Sequence, residues 1–346
     1  MFNFIKRFLR RSKGSYKENS QGYAIIGSGS WATAVAKIVL AKEKEITWLF
    51  RRQEAIDDFI RTGRNPGYLS QVEFDVSRIH FTRDITEAVA TCRTIIFATP
   101  SPYLKPTLKG LGVPLKDKKL IFATKGIVPD ENLLLTDYFQ QYYQVKPADM
   151  CVLSGPSHAE EVAMDRLTFL TLACTYLPTA EKLVKQFASE VVRVTASNDV
   201  RGIEVAGVLK NIYAVAAGIC HGLGYGDNFQ AVLISSAARE MQAVLSAVNP
   251  VPRLICDNVY LGDLLVTGYS NFSRNRQFGT MLGNGYSIQA AQAEMKMVAE
   301  GYFGAACMEK LKEDLRVSTP IIDTVYKILY EKQPAREAIV ALLPKL

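Results

Sequence analysis

Lys210 and Asn211 stand side by side in a segment of otherwise small and apolar residues, Val205-Ala206-Gly207-Val208-Leu209. An unpaired ammonium is costly to bury, so Lys210 needs an anionic or ligand partner, and desolvation would bring its proton within reach of transfer. A structural lysine that snorkels to the surface is the alternative. Asp263, in Gly262-Asp263-Leu264-Leu265-Val266-Thr267, supplies a carboxylate that could pair with it. A few residues on, Ser273-Arg274-Asn275-Arg276 places Ser273 to cap a helix beginning at Arg274 and Asn275. Free amides, a helix macrodipole and a guanidinium fork together make a competent phosphate site. A salt bridge alone would explain Asp263 but not the polar density around Arg274.

Two more sets of residues carry the marks of a ligand crevice. In Gly27-Ser28-Gly29-Ser30-Trp31-Ala32, Gly27 permits a tight turn, Gly29 lets a pyrophosphate approach the backbone, and Ala32 keeps the next helix close to the preceding strand. A glycine turn needed only for packing is the plainer alternative. Lys125, in Ala123-Thr124-Lys125-Gly126, and the loop Ala98-Thr99-Pro100-Ser101-Pro102 each follow an apolar run. In an open α/β sheet the ligand crevice lies outside the carboxyl ends of the strands, where these loops should fall; read alone, Lys125 is more often a surface lysine. Leu153-Ser154-Gly155-Pro156-Ser157-His158-Ala159-Glu160-Glu161 also leads from a strand into a helix, with Ser157 as the expected cap. Arg51-Arg52 closes the second strand, where an acidic residue would suit the ribose hydroxyls of NAD. A guanidinium there suits a 2′-phosphate, so NADP is favoured over NAD, with solvated surface arginines as the alternative.

The elements that must position these groups follow from the apolar pattern. Strands are expected at Tyr23 to Ile26, Ile46 to Phe50, Thr94 to Ala98, Leu120 to Ala123, Cys151 to Leu153 and Phe169 to Cys174, and a helix over Thr33 to Ala41. Short apolar runs alternating with helical stretches give an α/β, Rossmann-like domain with a parallel-rich sheet over residues 21–195. Past Ser197 the chain turns to long Ala- and Leu-rich segments at helical period, an all-α domain over residues 196–346 that would carry the substrate. At 346 residues the chain exceeds what one core usually holds.

Composition removes other classes. Apolar residues make up 48% and charged residues 22%, an ordinary globular balance. No run of about 18 uncharged apolar residues offers a membrane span. Of the net +7 charge, most lies in residues 1–20, where Lys6, Arg7, Arg10, Arg11, Lys13 and Lys17 face Glu18 alone. The body is near neutral, so no nucleic-acid partner is expected. The basic extension reads as a solvated tail, with a weak membrane-surface contact through a short amphipathic helix as the alternative. The six cysteines are scattered and the three histidines far apart; reduced, buried thiols and no metal site are expected.

Taken together, GSGSWATA, ATKGI, SGPSHAEEV, VLKNIYAVAAGICHGLGYGDN and GDLLVTGYSNFSRNRQFG resemble the soluble NAD(P)-dependent glycerol-3-phosphate dehydrogenases, from about Tyr23 to Tyr330. The resemblance implies a cytoplasmic enzyme that interconverts dihydroxyacetone phosphate and sn-glycerol 3-phosphate for phospholipid synthesis. It implies Lys210 as proton donor and acceptor, with Lys125 and Asp263 as the other catalytic groups. Gly155, Ser157, Ser273, Arg274 and Asn275 would surround the phosphorylated substrate, supported by Asn211 and Thr267. Beyond Gly27 and Gly29, the cofactor contacts it implies are Ser30, Trp31, Arg51, Lys125, Ala159, Arg274, Val298 and Glu300, with Arg52 beside them. His158 departs from a position that is usually aromatic, Gly268 from one usually cysteine, and Ser235-Ser236-Ala237 from Thr-Arg-Gly. A β-hydroxyacid or 6-phosphogluconate type dehydrogenase is the nearest alternative, and a dinucleotide-binding redox sensor without turnover the more distant one. The apolar faces of the long helices could serve a homodimer or the intrachain core.

Overall fold

Alternation along the first strand divides the molecule. In the computed structural model, which describes residues 19–295 and 299–346, Tyr23 and Ile25 face one hydrophobic core while Ala24 and Ile26 face a second. A strand buried on both faces in this way is central to a sheet covered by helices. It is β1 (Asn19–Ile26), and with β2 (Ile46–Leu49), β3 (Ile79–Thr82), β4 (Cys92–Phe97), β5 (Lys119–Phe122), β8 (Met150–Ser154), β9 (Thr168–Cys174) and β10 (Val192–Ser197) it forms an eight-stranded sheet. Ile127–Val128 and Leu133–Leu134, β6 and β7, make a separate two-stranded ribbon. The order across the large sheet is β10-β9-β8-β5-β4-β1-β2-β3.

From β3 to β8 the neighbours are parallel, in the doubly wound order whose reversal lies between β1 and β4. The expected parallel pattern stops there: β9 runs antiparallel to β8, Cys151 opposite Cys174, and β10 runs parallel to β9. The six expected strands are present. β3 and β10 were not expected, because Ile79-His80-Phe81-Thr82 is short and interrupted by a polar residue, and Val192–Ser197 is an edge strand with only Val192 fully buried.

The helix after β1, α1 (Ser30–Leu40), begins three residues before the expected Thr33. Gly29, extended at φ −79° and ψ −174°, serves as its N-cap, so Ser30, Trp31 and Ala32 form the first turn instead of a loop. The short α2 (Ala159–Ala163) follows β8, and its cap is His158. Ser157 does not cap it as expected: its hydroxyl donates to the Gly155 carbonyl at 3.1 Å, two residues back.

Helices follow the last strand, led by α3 (Val200–Gly222) and α4 (Asp227–Val248). Both are long and apolar enough to cross a membrane by length and composition, but every residue of α3 from Gly202 to Cys220 is enclosed by protein. α5 (Asp263–Tyr269), α6 (Arg274–Gly283) and α7 (Glu300–Leu315) pack around it. Five cysteines are buried; the sixth, Cys256, is exposed, contrary to expectation, because it lies in the loop after α4. The basic stretch to residue 18 lies outside the described residues.

α3 and α6 cross at backbone contact. A Cβ on Gly218 would strike the Arg276 carbonyl, one on Gly279 the Val215 carbonyl, and those on Gly222 and Gly283 the opposing backbones in turn. Two four-residue glycine spacings thus interlock, and they draw the start of α6 up to the middle of α3. Gly279→Ala should therefore lower unfolding stability by about 1–3 kcal/mol through overpacking, although alanine is the better helix former by about 1 kcal/mol. Denaturant melts of the two proteins measure the difference, and equal midpoints would refute the crossing.

Candidate active site

Three elements meet where β5, α3 and α5 converge. Lys125 follows β5, and α3 passes it at Gly207, where a Cβ would sit only 3.8 Å from the Lys125 Cβ. Asp263 opens α5 after an irregular helical turn, Asn258–Gly262. Its carboxylate is almost wholly enclosed, at 1% exposure against 6% for the Lys210 side chain and 15% for that of Lys125. One oxygen accepts from Lys210 Nζ. The other accepts from Lys125 Nζ at 3.2 Å and from Ser154 Oγ at 3.4 Å.

The Thr267 hydroxyl donates to the Asp263 carbonyl at 2.6 Å, which leaves its oxygen to accept from Lys210 at 3.0 Å. Lys210 has three donor directions as an ammonium, and Asp263 and Thr267 take two. The third is left for the cleft that Lys210 lines. Burial pushes Lys210 down to about 7; the Asp263 carboxylate opposes that fall and the Lys125 charge adds to it. For Asp263, burial works against ionisation, but the Lys125 and Lys210 charges outweigh it and hold the carboxyl below its ordinary value. One carboxylate between two ammoniums leaves one positive charge uncompensated, and burial loosens the Lys210 proton.

The cleft is open to solvent at its mouth. The sheet side brings Gly29, Ser30, Trp31, Lys125, Ser157 and Ala159 to its wall, and the helices bring Lys210, Asn211, Thr267, Ser273, Arg274 and Asn275, with Glu300. Ser273 caps α6 as expected, accepting from the Arg276 amide at 3.3 Å. Asn275 ties the helices together: its amide donates to Asn211 Oδ1 at 2.9 Å and its oxygen accepts from the Gly301 amide at 2.8 Å. The Arg274 guanidinium makes no hydrogen bond or ion pair among the described residues. Burial lowers its pKa below the ordinary arginine value, and Glu160 and Glu300 oppose that fall. Glu300 accepts from the Ser101 amide at 3.4 Å, and burial lifts its carboxyl to about 7.

Gly155, at φ +130°, stands behind the wall. A Cβ there would come within 2.8 Å of the Phe169 carbonyl, so only glycine fits, and its own carbonyl accepts from Lys125 at 3.4 Å. Arg51 and Arg52 are exposed just past the end of β2 and are not among the residues that line this cleft; the Arg51 guanidinium lies 5.9 Å from the centre of the Tyr103 ring. Val298 lies outside the described residues.

The glycine turn suits a dinucleotide. Gly27, at φ +121°, would bring a Cβ within 3.0 Å of the Ala98 backbone, while a Cβ on Gly29 would meet nothing within 4 Å, so the space above Gly29 is open. α1 has no side-chain cap and no acidic residue in its first turn, which leaves its amides and dipole to an anion.

Sequence reasoning missed an anchor beneath the site. Asp199 caps α3 through the Gly202 amide at 3.1 Å and also accepts from Arg253 Nε at 2.9 Å, Tyr260 Oη at 2.6 Å and Asn249 Nδ2 at 2.9 Å. It thereby binds the start of α3 to the turn that presents Asp263. No local pattern announces partners this far apart; the helix-capping position of Asp199 was the one available signal.

Comparison with known proteins covers nearly the whole chain. Residues 23–180 match the model for the N-terminus of NAD-dependent glycerol-3-phosphate dehydrogenase, and residues 199–340 match that for its C-terminus. The chain is 36% identical over 323 residues to a glycerol-3-phosphate dehydrogenase [NAD(P)+] of Chlorobium phaeobacteroides, covering 93% of this chain and 96% of the relative. It is 37% identical to that of Agathobacter rectalis, covering 92% and 94%. The crystal structure of glycerol-3-phosphate dehydrogenase from Coxiella burnetii superposes with a TM-score of 0.86 at 28% identity, covering 94% of this chain and 99% of the other.

Gly29→Ala separates binding from folding. With an ordinary φ and open space above it, the substitution should change stability by about 1 kcal/mol or less. Its methyl should nevertheless weaken dinucleotide binding by at least about tenfold, 1.4 kcal/mol. Fluorescence titration beside a thermal melt reads both quantities, and unaltered affinity would remove the pyrophosphate from this turn.

Proposed function

We propose a residue-level mechanism for a chain that belongs to the NAD-dependent glycerol-3-phosphate dehydrogenase family. The chain is an NAD(P)-dependent oxidoreductase that interconverts dihydroxyacetone phosphate and sn-glycerol 3-phosphate. The reading rests above all on Lys210, held by Asp263 and Thr267 so that one donor direction remains for the cleft. When bound, the nicotinamide supplies a hydride to C2 in reduction and accepts one in oxidation.

Lys210 as the ammonium polarises the C2 carbonyl and gives the proton that makes the alcohol; as the neutral amine it takes that proton back. Asp263 and Thr267 keep its other two positions occupied, which fixes where the transferred proton sits. The Lys125 ammonium adds positive charge beside the developing alkoxide, an effect that grows as water is excluded. Oxidation draws on the neutral amine, so its kcat/KM rises with pH and levels off above the Lys210 value near 7; reduction falls over the same range.

The phosphate goes to Arg274, Ser273 and Asn275 at the start of α6, fixing the distance from C2 to Lys210. Gly155, Ser157, Asn211 and Thr267 complete the substrate site. Gly27, Gly29, Ser30, Trp31, Lys125, Ala159, Arg274, Val298 and Glu300 hold the dinucleotide. Arg51 and Arg52 meet a 2′-phosphate, so NADP is preferred to NAD, and no metal takes part. Residues 21–195 form the dinucleotide-binding domain and 196–346 the substrate domain. The enzyme acts in the cytoplasm as a homodimer and supplies phospholipid synthesis, with its first twenty residues available for a weak membrane-surface contact.

Two variants test the division of labour. Arg274→Ala should raise the KM for dihydroxyacetone phosphate roughly ten- to a hundredfold, the worth of a charge-assisted contact of about 1.5–3 kcal/mol. It should also lower kcat, because phosphate binding aligns the carbonyl. Lys210→Ala should lower kcat at least about a hundredfold with dinucleotide affinity intact. Near-normal turnover in the second, or unchanged kinetics in the first, would overturn the corresponding assignment.

A further inference from the structure

In the mechanism above, the substrate's phosphate has Arg274 and the α6 amides and its C2 oxygen has Lys210 and Lys125, but no single group is assigned to the free hydroxyl at C1. His158 is on hand. It caps α2 at the exit of β8 and lines the cleft with Ser157, Lys210, Thr267 and Phe272. Its ring rests on Phe272, 5.9 Å between centroids and tilted by 58°. Among the described residues, its buried Nε2 has no hydrogen-bond partner. A buried unpaired ring nitrogen is a standing cost to the unliganded protein, and a ligand group could remove it. Burial, then the Lys210 and Lys125 charges, hold the imidazole below its ordinary value against the Val266 carbonyl and Glu160, which favours the neutral ring. With the Val266 carbonyl drawing the ring's one proton to Nδ1, the neutral imidazole accepts at Nε2, and a hydroxyl can donate to it.

We propose that His158 is a positioning residue whose Nε2 hydrogen-bonds the C1 hydroxyl, so that the site selects a three-carbon ketone phosphate ending in hydroxymethyl over one ending in methyl. The inference rests on the glycerol-phosphate reading and deepens it. A site that hydrogen-bonds a substrate hydroxyl discriminates against the analogue lacking it, because the site's own polar group is then left unpaired.

The test compares kcat/KM for dihydroxyacetone phosphate and for hydroxyacetone phosphate, which ends in methyl, in the native enzyme, His158→Phe and His158→Gln. The native enzyme should prefer the hydroxylated ketone by at least about tenfold. His158→Phe keeps an aromatic ring on Phe272 and should lose about tenfold of that preference, all of it on the hydroxylated substrate; His158→Gln should regain part. Should His158→Phe melt below the assay temperature, His158→Leu takes its place with the same expectation. A purely structural role would slow both ketones alike, and an unchanged ratio overturns the proposal. So does a loss confined to dinucleotide affinity, which would place the nitrogen on the cofactor. If the native enzyme turns over neither ketone, the glycerol-phosphate reading fails along with it, a result distinct from an unchanged ratio.

Discussion

One buried carboxylate between two ammoniums organises this protein. Asp263 alone could neutralise Lys210, and the pair would then be an inert structural bridge. Lys125 on the second oxygen changes that balance, because three charges then sum to one positive charge in a place nearly shut off from water. Burying an uncompensated charge is costly, and the group relieves it by loosening the proton on the most desolvated ammonium that also faces the cleft. The same excess positive charge suits the negative charge that collects on the substrate oxygen. Acid strength and stabilisation of that charge therefore share one origin.

The fold serves to bring these three side chains together from distant parts of the chain. The reversal of strand order between β1 and β4 opens the crevice, and the loop after β5 carries Lys125 to its edge. α3, buried along nearly its whole length, delivers Lys210 and Asn211 beneath it. Its glycines let α6 come to backbone contact, so that Arg274 and Asn275 reach the level of Lys210. Asp199 fastens the first turn of α3 to the turn before Asp263 through Arg253 and Tyr260. Neither the interlocking glycines nor the Asp199 cluster lines the cleft, yet each determines where a cleft residue stands.

Much of the arrangement was legible in the chain because it broke local rules. A lysine and an asparagine inside a small-residue helix, a glycine turn between strand and helix, and a capped Arg-Asn start each contradict what packing alone would select, and the structure brings all three to one cleft. What could not be read has physical reasons. Ser157 has the chemistry of a helix cap, but the extended backbone at His158 gives that position to the next residue. β10 is an edge strand whose half-exposed alternation carries little signal, and the reversal of β9 depends on the loop around α2 rather than on composition. The Asp199 cluster unites residues more than fifty positions apart, beyond the reach of any local pattern. The glycine pairs at four-residue spacing were visible, but their role emerges only with the helix that they meet.

The most direct measurement is the pH dependence of kcat/KM for glycerol 3-phosphate oxidation in Asp263→Asn and Lys125→Gln beside the native enzyme. Removing the carboxylate takes away the charge that most favours the Lys210 ammonium, so the controlling pKa should move down in Asp263→Asn. Removing the second ammonium relieves a repulsion, so it should move up in Lys125→Gln. Opposite displacements from a native value near 7 are the signature of a proton held in a three-charge balance. Profiles that move together, or that stay in place in both variants, would contradict it.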